Sequence, residues 1–145
     1  MLYLDTSALL KLLWNEPESD AVRRHVARED VVVVSALAEL ETEVQLTAAW
    51  LAGRYRQAAW RRFLAKLAEL RETEPFTPRS LPATLVETAR RRQRASPRVH
   101  CRMLDRLHLA AMEELGVRRL LTHDTAQAQG ARSLGFEVLV PERQD

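Results

Sequence analysis

Four consecutive valines, Val31 to Val34, limit what this chain can fold into more than any other feature of its sequence. A short unbroken run of β-branched residues is typical of a strand that is buried on both faces, as the strands of a parallel sheet are. Short apolar runs also lie near both ends of the chain, and helical patterns separate them. Strands that alternate with helices in this way predict a three-layer α/β/α fold on a central, mostly parallel sheet.

The boundaries of the elements follow from apolar periodicity and from residues that cap or break helices. Ser35 is a good N-cap for the helix that follows the valine strand, and Gly53 lies just beyond the end of that helix. The predicted strands are residues 2–4, 31–34, 117–122 and 136–140, with a short one within segment 73–78. The predicted helices are about residues 8–14, 17–29, 36–51, 55–71, 79–95, 99–115 and 125–135. The sequence contains no repeat and no linker, so we expect a single domain over residues 1–145.

Composition excludes several classes of protein. Cys101 is the only cysteine, which rules out an intramolecular disulfide framework and a cysteine-rich zinc site. No apolar run approaches the roughly 18 residues that cross a bilayer. Met1 leads into a short strand rather than a signal peptide, so we expect a cytoplasmic protein with no membrane partner. The first strand is not followed by GxGxxG, which argues against a dinucleotide-binding fold.

Arginine supplies most of the positive charge of a chain whose net charge is only +2. Its planar guanidinium suits phosphate, so the composition permits a nucleic-acid partner without establishing one. The densest basic cluster runs from Arg90 to Arg94. This cluster either grips an RNA backbone or forms a solvated helix face, and the second interpretation is slightly favoured because its arginines circle the helix.

One helix carries a carboxylate where the periodicity predicts a buried residue. In the helix after Ser35, Glu41 lies beside the apolar stripe, whereas Glu39 and Glu43 point away from it as ordinary solvated acids do. The predicted stripe consists of Leu37, Leu40, Val44, Ala48 and Leu51. A carboxylate on the buried side of a helix is costly unless a cation accompanies it, so Glu41 is a candidate site residue.

A second helix repeats this pattern near residue 105. Asp105 and His108 lie on its predicted buried side. The stripe that they join consists of Cys101, Leu104, Ala111, Met112 and Leu115. Either the acids of the two helices share a metal ion or another basic partner, or each pairs with an arginine such as Arg102 or Arg106. His108 is more simply a packing residue that orients a neighbour than a catalytic group.

Two further acids follow predicted strands. Asp5 comes directly after the first strand, and Asp124 comes two residues after the strand that ends at Thr122. Ligands of open parallel sheets bind outside the carboxyl ends of the strands, although an aspartate at such a position is also a common helix N-cap. Together with Glu41 and Asp105, these two acids are expected to converge on one pocket at one edge of the sheet.

Clustered carboxylates repel one another and raise each other's pKa unless a divalent cation lies among them. Oxygen ligands without cysteine favour Mg²⁺ or Mn²⁺ over zinc. Such an ion activates water and stabilises the charge that develops on a phosphodiester during in-line attack. The acids therefore favour metal-dependent phosphodiester hydrolysis, with Thr6, Ser7 and Thr122 as candidate supporting groups for a water or a phosphate oxygen.

The segments that carry these acids resemble the motifs of the PIN-domain family, and most closely those of the VapC-type ribonuclease toxins of bacterial and archaeal toxin–antitoxin systems. Residues 4–8, Leu-Asp-Thr-Ser-Ala, look like the first acidic motif of the family. Residues 35–41 are similar to its serine followed six residues later by an acid, which selects Glu41 over Glu39. Residues 104–110 resemble its Asp-x-x-His-hydrophobic-Ala segment, and residues 121–124 resemble its Thr-x-Asp strand end.

The resemblance implies an Mg²⁺- or Mn²⁺-dependent endoribonuclease with the PIN fold. In it, Asp5, Glu41, Asp105 and Asp124 hold the metal and position water. It also implies an RNA substrate, a cognate antitoxin that inserts a segment near the acidic pocket, and a homodimer. The segment after Asp124 lacks a further acid that the family sometimes carries, so the resemblance leaves open whether one ion or two bind.

Two other functions compete with this one. The main alternative is a catalytically silent PIN-like scaffold, which keeps its acids for pairing and binds RNA or a protein partner. The presence of all four acids counts against it. A haloacid-dehalogenase-like phosphatase also begins with an aspartate after its first strand, but it needs an acid where Ser7 stands.

Overall fold

The centre of the molecule is a five-stranded parallel sheet, as a computed structural model that describes residues 1–142 shows. In chain order the strands are β1 (Leu2–Leu4), β2 (Val32–Ser35), β3 (Phe76–Arg79), β4 (Arg119–Leu121) and β5 (Glu137–Leu139). In space their order is β3-β2-β1-β4-β5, and all four neighbouring pairs are parallel. Strand β1 therefore lies at the centre of the sheet, between β2 and β4. The carboxyl ends of β1 and β4 therefore lie side by side at the middle of the sheet.

Within residues 1–142, seven helices cover the two faces of the sheet and complete the predicted three-layer α/β/α fold. They are α1 (Thr6–Leu13), α2 (Ser19–Val26), α3 (Ala36–Leu51), α4 (Gln57–Leu70), α5 (Leu85–Ala95), α6 (Met103–Glu114) and α7 (Thr125–Ser133). Helix α5 begins six residues later than predicted, because Pro82 lies in the segment before it and disfavours helical backbone at its neighbour. None of these helices is long and apolar enough to cross a membrane.

Alternation along the strands divides the core into two halves. Leu2 and Leu4 pack on one face of the sheet against the apolar sides of α1, α2, α3 and α4. Tyr3 and Val33 pack on the other face, with residues of α5, α6 and α7. Val32, Val33 and Val34 are 0%, 1% and 4% exposed, so the valine run is buried on both faces as its sequence predicts.

The apolar stripe predicted for α3 is wrong in part. Leu40, Val44 and Leu51 are 60%, 57% and 73% exposed. The buried residues of this helix are Leu37, Ala38, Thr42, Leu46 and Ala49. Small side chains bring the helix close to its neighbours, and the Thr42 hydroxyl donates to the Ala38 carbonyl oxygen at 2.7 Å. Leu37 and Leu46 are buried with them, whereas Leu40, Val44 and Leu51 are left on the outside.

The basic cluster from Arg90 to Arg94 is divided between two roles. Arg91 and Arg92 donate hydrogen bonds to the carboxylate of Glu113 and so tie α5 to α6. Arg90 and Arg94 are exposed. Part of the cluster thus fastens two helices together, and only its exposed members can meet a partner.

Candidate active site

All four acids predicted from the sequence line one cavity of about 380 Å³. Asp5 follows β1 and Asp124 follows β4, while Glu41 lies in the second turn of α3 and Asp105 in the first turn of α6. The cavity is completed by Thr6, Ser7, Leu10, Gln45, Arg102, Met103, Leu104, His108 and Gln127. Two strand ends and two helix faces therefore meet at one edge of the sheet, as expected.

Asp5 both caps a helix and faces the cavity. It is only 2% exposed, and its carboxylate accepts hydrogen bonds from the Ala8 backbone N–H at 2.9 Å and from the Ser7 hydroxyl at 2.8 Å. The Thr122 hydroxyl donates a third bond at 2.6 Å. Burial raises the pKa of Asp5 even though these three donors oppose the shift. The carboxylate is thus fixed in position but poorly solvated.

Thr122 and Ser7 connect the two strand ends. Thr122 is fully buried, and its hydroxyl accepts the Asp124 backbone N–H at 3.0 Å while it donates to Asp5. The Ser7 hydroxyl accepts the His123 backbone N–H at 2.8 Å. Two of the three predicted supporting hydroxyls, those of Ser7 and Thr122, therefore hold the loop after β4 against the start of α1.

Asp124 is also an N-cap and a pocket residue at once. Its Oδ1 accepts the Gln127 backbone N–H at 3.0 Å, and its Oδ2 accepts from Arg102 Nη2 at 2.5 Å. Burial alone raises the pKa of this carboxyl, but the hydrogen bonds from Gln127 and Arg102 outweigh burial and bring the pKa below its usual value. The capping and functional interpretations of the two strand-end acids are thus compatible.

Arg102 bridges two of the four acids. Its Nε donates to Asp105 Oδ2 at 2.9 Å, and its Nη2 is 3.3 Å from Asp105 Oδ1 as well as bonded to Asp124. The Asp105 side chain is 8% exposed and that of Arg102 is 60% exposed. The two carboxylates hold the pKa of the guanidinium above its usual value. Of the two alternatives for Asp105, the structure therefore shows pairing with an arginine, and that arginine is Arg102. Arg106 instead donates to the Val99 carbonyl oxygen.

Glu41 is held through a single oxygen. Its Oε2 accepts from the Thr6 hydroxyl at 2.7 Å and from His108 Nε2 at 2.5 Å. Burial acts to raise its pKa, but the hydrogen bonds from His108 and Thr6 outweigh burial, so the net shift is downward. None of the hydrogen bonds among residues 1–142 reaches Oε1. One carboxylate oxygen is thus committed to the protein and the other is available to a ligand.

Two residues around this site were not predicted from the sequence. Tyr3, in the middle of β1, is fully buried, and its hydroxyl lies 2.8 Å from His108 Nδ1 and 2.6 Å from Ser35 Oγ. The sequence does contain a signal for Tyr3, since it is a tyrosine within an apolar strand that is predicted to be buried. A buried phenol needs a hydrogen-bond partner, so such a tyrosine is expected to contact a polar group. Gln127 lines the cavity, and within the described part of the chain its buried Nε2 has no hydrogen-bond partner.

The four acids do not form a closed metal centre as they stand. Among residues 1–142, no group of three His, Cys, Asp or Glu side chains is arranged so that it could hold a metal ion. The cation that lies between Asp105 and Asp124 is the guanidinium of Arg102. The pocket is nevertheless built from carboxylate and hydroxyl oxygens, which are ligands for hard divalent cations.

Comparisons with known proteins identify the family and the fold. A family model of the PIN domain matches residues 2–132. Ribonuclease VapC46 of Mycobacterium tuberculosis is 36% identical to this chain, with 97% of each sequence covered.

Three solved structures illustrate the similarity of fold. VapC20 of Mycobacterium tuberculosis, a toxin that cleaves the sarcin–ricin loop, matches with a TM-score of 0.69 at 18% identity over 94% of this chain and 96% of the other. VapBC2 of Rickettsia felis, bound to a DNA fragment from its promoter, matches with a TM-score of 0.68 at 11% identity, over 98% of this chain and 100% of the other. FitAcB of Neisseria gonorrhoeae matches with a TM-score of 0.68 at 16% identity, over 97% of this chain and 98% of the other.

Proposed function

The chain belongs to the PIN-domain family, among its VapC-type members, and from this premise we propose that it is a metal-dependent endoribonuclease of a toxin–antitoxin pair. The observation that carries the proposal is the convergence of Asp5, Glu41, Asp105 and Asp124 on one cavity at the carboxyl edge of the sheet. The relative that shares 36% of its residues is named a ribonuclease, which supports the same activity here.

The metal in this proposal is Mg²⁺ or Mn²⁺, held by Asp5, Glu41, Asp105 and Asp124. The donors fit such an ion because they are all carboxylate oxygens, and because Asp105 and Asp124 already share a cation, the Arg102 guanidinium. When bound, the ion supplies an activated water and compensates the negative charge that builds on the scissile phosphodiester.

The residues around the acids prepare the pocket for this chemistry. Thr122 and Ser7 fix Asp5, while Thr6 and His108 fix one oxygen of Glu41. Arg102 has to leave Asp105 and Asp124 before an ion occupies the space between them. Because its side chain is 60% exposed, we infer that it then turns to the RNA and binds a phosphate with its paired N–H groups.

The partners follow from the family. We infer an RNA substrate that the enzyme meets in the cytoplasm, and a cognate antitoxin that blocks the pocket, because structural neighbours include VapBC2 and FitAB with DNA fragments. We also infer a homodimer. The exposed apolar residues Leu40, Val44 and Leu51 of α3 are available to cover an interface with either protein.

One observation favours a second candidate function. The ion pairs of Arg102 with Asp105 and Asp124 satisfy those two acids without any metal. A catalytically silent PIN-like scaffold that binds RNA or a protein would use the acids in this way. The two candidates differ in whether a divalent cation displaces the guanidinium.

The experiment that separates them is a cleavage assay on structured RNA. The protein, purified free of any antitoxin, is incubated with Mn²⁺, with Mg²⁺ or with EDTA. Variant Asp5→Asn tests the pocket, and Glu43→Gln, which changes an exposed acid on α3, is its control. We expect defined products that require metal, disappear with Asp5→Asn and persist with Glu43→Gln. Cleavage that survives EDTA and Asp5→Asn would contradict the site, and tight RNA binding without cleavage would support the scaffold.

A further inference from the structure

A chain of buried hydrogen bonds runs from the sheet to Glu41. It joins Ser35 Oγ to the Tyr3 hydroxyl at 2.6 Å, the Tyr3 hydroxyl to His108 Nδ1 at 2.8 Å, and His108 Nε2 to Glu41 Oε2 at 2.5 Å. Tyr3 and Ser35 are 0% exposed and His108 is 3% exposed. The chain thus crosses β1, the end of β2, α6 and α3 before it reaches the pocket.

The direction of this chain follows from its Glu41 end, because a carboxylate only accepts and the proton of that contact therefore lies on His108 Nε2. Nδ1 of the neutral ring is then an acceptor, so the Tyr3 hydroxyl donates to it. Ser35 Oγ, which accepts the Ala38 backbone N–H at 3.2 Å, donates its own proton to the Tyr3 oxygen. A neutral imidazole that accepts at Nδ1 carries its proton on Nε2, where it donates to the Glu41 carboxylate. The reverse order would place two acceptors, Nε2 and Oε2, against each other.

The hydrogen bonds to Glu41 are also one-sided. Both the His108 Nε2–H and the Thr6 hydroxyl donate to Oε2, and neither reaches Oε1. Glu41 lines the cavity, and Oε1 is the carboxylate oxygen that has no hydrogen bond among residues 1–142, so it is the one available to a ligand there. The orientation of Glu41 therefore depends on the orientation of the His108 ring, which the Tyr3 hydroxyl holds at Nδ1.

We propose that Tyr3 is a positioning residue, whose hydroxyl holds the His108 ring at Nδ1 so that Nε2 fastens Glu41 Oε2 and leaves Oε1 to the pocket. The consequence for metal binding rests on the proposed function, because it assumes that Glu41 is a ligand. Groups that orient metal ligands typically contribute about 10- to 100-fold to metal affinity. Tyr3 touches neither the metal position nor the RNA, so its effect passes entirely through His108.

The test compares Tyr3→Phe with Tyr55→Phe. Both changes remove one phenolic hydroxyl that has a hydrogen-bond partner, since Tyr55 donates to the Leu46 carbonyl at 2.6 Å on another part of the molecule. The first measurement is ¹⁵N NMR of the imidazoles in metal-free protein. We expect the Nε2–H tautomer of His108 in all three proteins, with a hydrogen-bonded Nδ1 in the wild type and in Tyr55→Phe, and an Nδ1 chemical shift that marks the loss of this hydrogen bond in Tyr3→Phe.

The second measurement is the affinity for Mn²⁺ by calorimetry. We expect Tyr3→Phe to weaken it by about tenfold and Tyr55→Phe to leave it unchanged. A folded Tyr3→Phe with the wild-type Nδ1 chemical shift and wild-type Mn²⁺ affinity would overturn the proposal. If the wild-type protein binds no Mn²⁺, the proposed function fails, while the Nδ1 comparison still decides the role of Tyr3.

A second pair of variants keeps the test open if Tyr3→Phe does not fold. His108→Gln retains an N–H donor near the position of Nε2 and needs no tautomer, whereas His108→Ala removes the donor. We expect His108→Ala to lose about tenfold or more in Mn²⁺ affinity and His108→Gln to lose less. Equal affinities in the two variants would overturn the inferred link between His108 and Glu41.

Discussion

Asp5 is the residue at which stability and function conflict most directly. Its carboxylate is almost fully buried, and burial raises its pKa, so the ionised form is held at a cost that a bound cation would offset. Functional sites often keep such strain, and substitutions that remove it stabilise the fold while they abolish activity.

In metal-free protein we therefore expect Asp5→Asn to raise stability by about 0.5–2 kcal/mol. The amide retains an oxygen that can accept the Ala8 N–H and removes a buried charge. The measurement is thermal denaturation in EDTA, in which ~1 kcal/mol shifts the midpoint by about 2–4 °C in a chain of this size. Asp20→Asn, at a surface ion pair, is the control and should change little. A lower midpoint for Asp5→Asn would mean that its hydrogen bonds matter more than its charge.

Arg102 gives a second prediction at the residue scale. A divalent cation has to compete with its guanidinium for Asp105 and Asp124, so Arg102→Gln should bind Mn²⁺ more tightly than the wild type. Because the arginine is 60% exposed, its ion pairs are worth ~1 kcal/mol, and the expected gain is about fivefold. Calorimetry checks this, with Arg94→Gln as a control on an exposed arginine elsewhere. Unchanged or weaker binding would show that the guanidinium does not compete with the metal.

At the scale of single elements, most of the fold could be predicted from the sequence because the local signals agree. The boundaries of β2 and α3 lie within one or two residues of those predicted from the Val31–Val34 run, the Ser35 cap and the break at Gly53. The face of α3 could not be predicted in the same way. Its periodicity fits a stripe of large apolar residues as well as one of small residues, and only packing against neighbouring elements decides between them.

The corrected face of α3 predicts opposite outcomes for two similar changes. Leu46 is fully buried, so Leu46→Ala should destabilise the fold by about 2–5 kcal/mol. Leu51 is 73% exposed, so Leu51→Ala should stay within about 0.5 kcal/mol of the wild type. Urea denaturation of both variants tests this. Equal losses would favour the stripe first expected from the periodicity.

The candidate site was predictable in its acids but not in its connections. Helical position singled out Asp105, and strand ends singled out Asp5 and Asp124. Glu41 was selected by the serine-to-acid spacing of the family motif; helical position alone was a weaker guide, because Glu39, expected to be solvated, has a side chain only 15% exposed and pairs with Arg71. The partner of Asp105 also had a signal, since Arg102 lies three residues before it on the same helix face whereas Arg106 is its immediate neighbour. The members of the Tyr3–His108–Glu41 chain each had a signal, a tyrosine in a buried strand and a histidine expected to orient a neighbour, but their connection had none, because only the folded chain brings the three elements together.

At the scale of the whole molecule, the amino-terminal edge of the sheet, away from the pocket, is stabilised by a partly buried acid. Glu29, whose side chain is 10% exposed, accepts from Arg119 at 2.6 Å and from the N-terminal amine of Met1 at 3.3 Å. Burial acts to raise its pKa, but the bonds from Arg119 and the amine outweigh burial and lower it. Its contribution to stability is therefore present above the unfolded pKa of about 4.3 and is lost as the pH falls through the lower folded value.

This sign gives a prediction for Glu29→Gln. At neutral pH the variant should lose about 1.5–3 kcal/mol of stability relative to the wild type, as charged hydrogen bonds usually contribute. As the pH falls below the folded pKa of Glu29, the difference should shrink toward zero. Urea midpoints measured from pH 7 into the acid range check this. A difference that stays constant with pH would contradict an ionised Glu29 as its source.

The organisation of residues 1–145 as a single domain stays a prediction. It is supported by the sheet, which contains strands from both the beginning and the end of the described chain, and by the acidic pocket, whose lining residues come from both parts.

The central claim is that this pocket is a divalent-metal site, not a set of acids satisfied by arginine. Its most direct test is titration of purified wild-type protein with Mn²⁺, followed by electron paramagnetic resonance, with Asp105→Asn and Glu43→Gln in parallel. We predict saturable binding that Asp105→Asn strongly weakens and Glu43→Gln preserves. Absence of saturable binding to the wild type, or equal binding by all three proteins, would contradict the account.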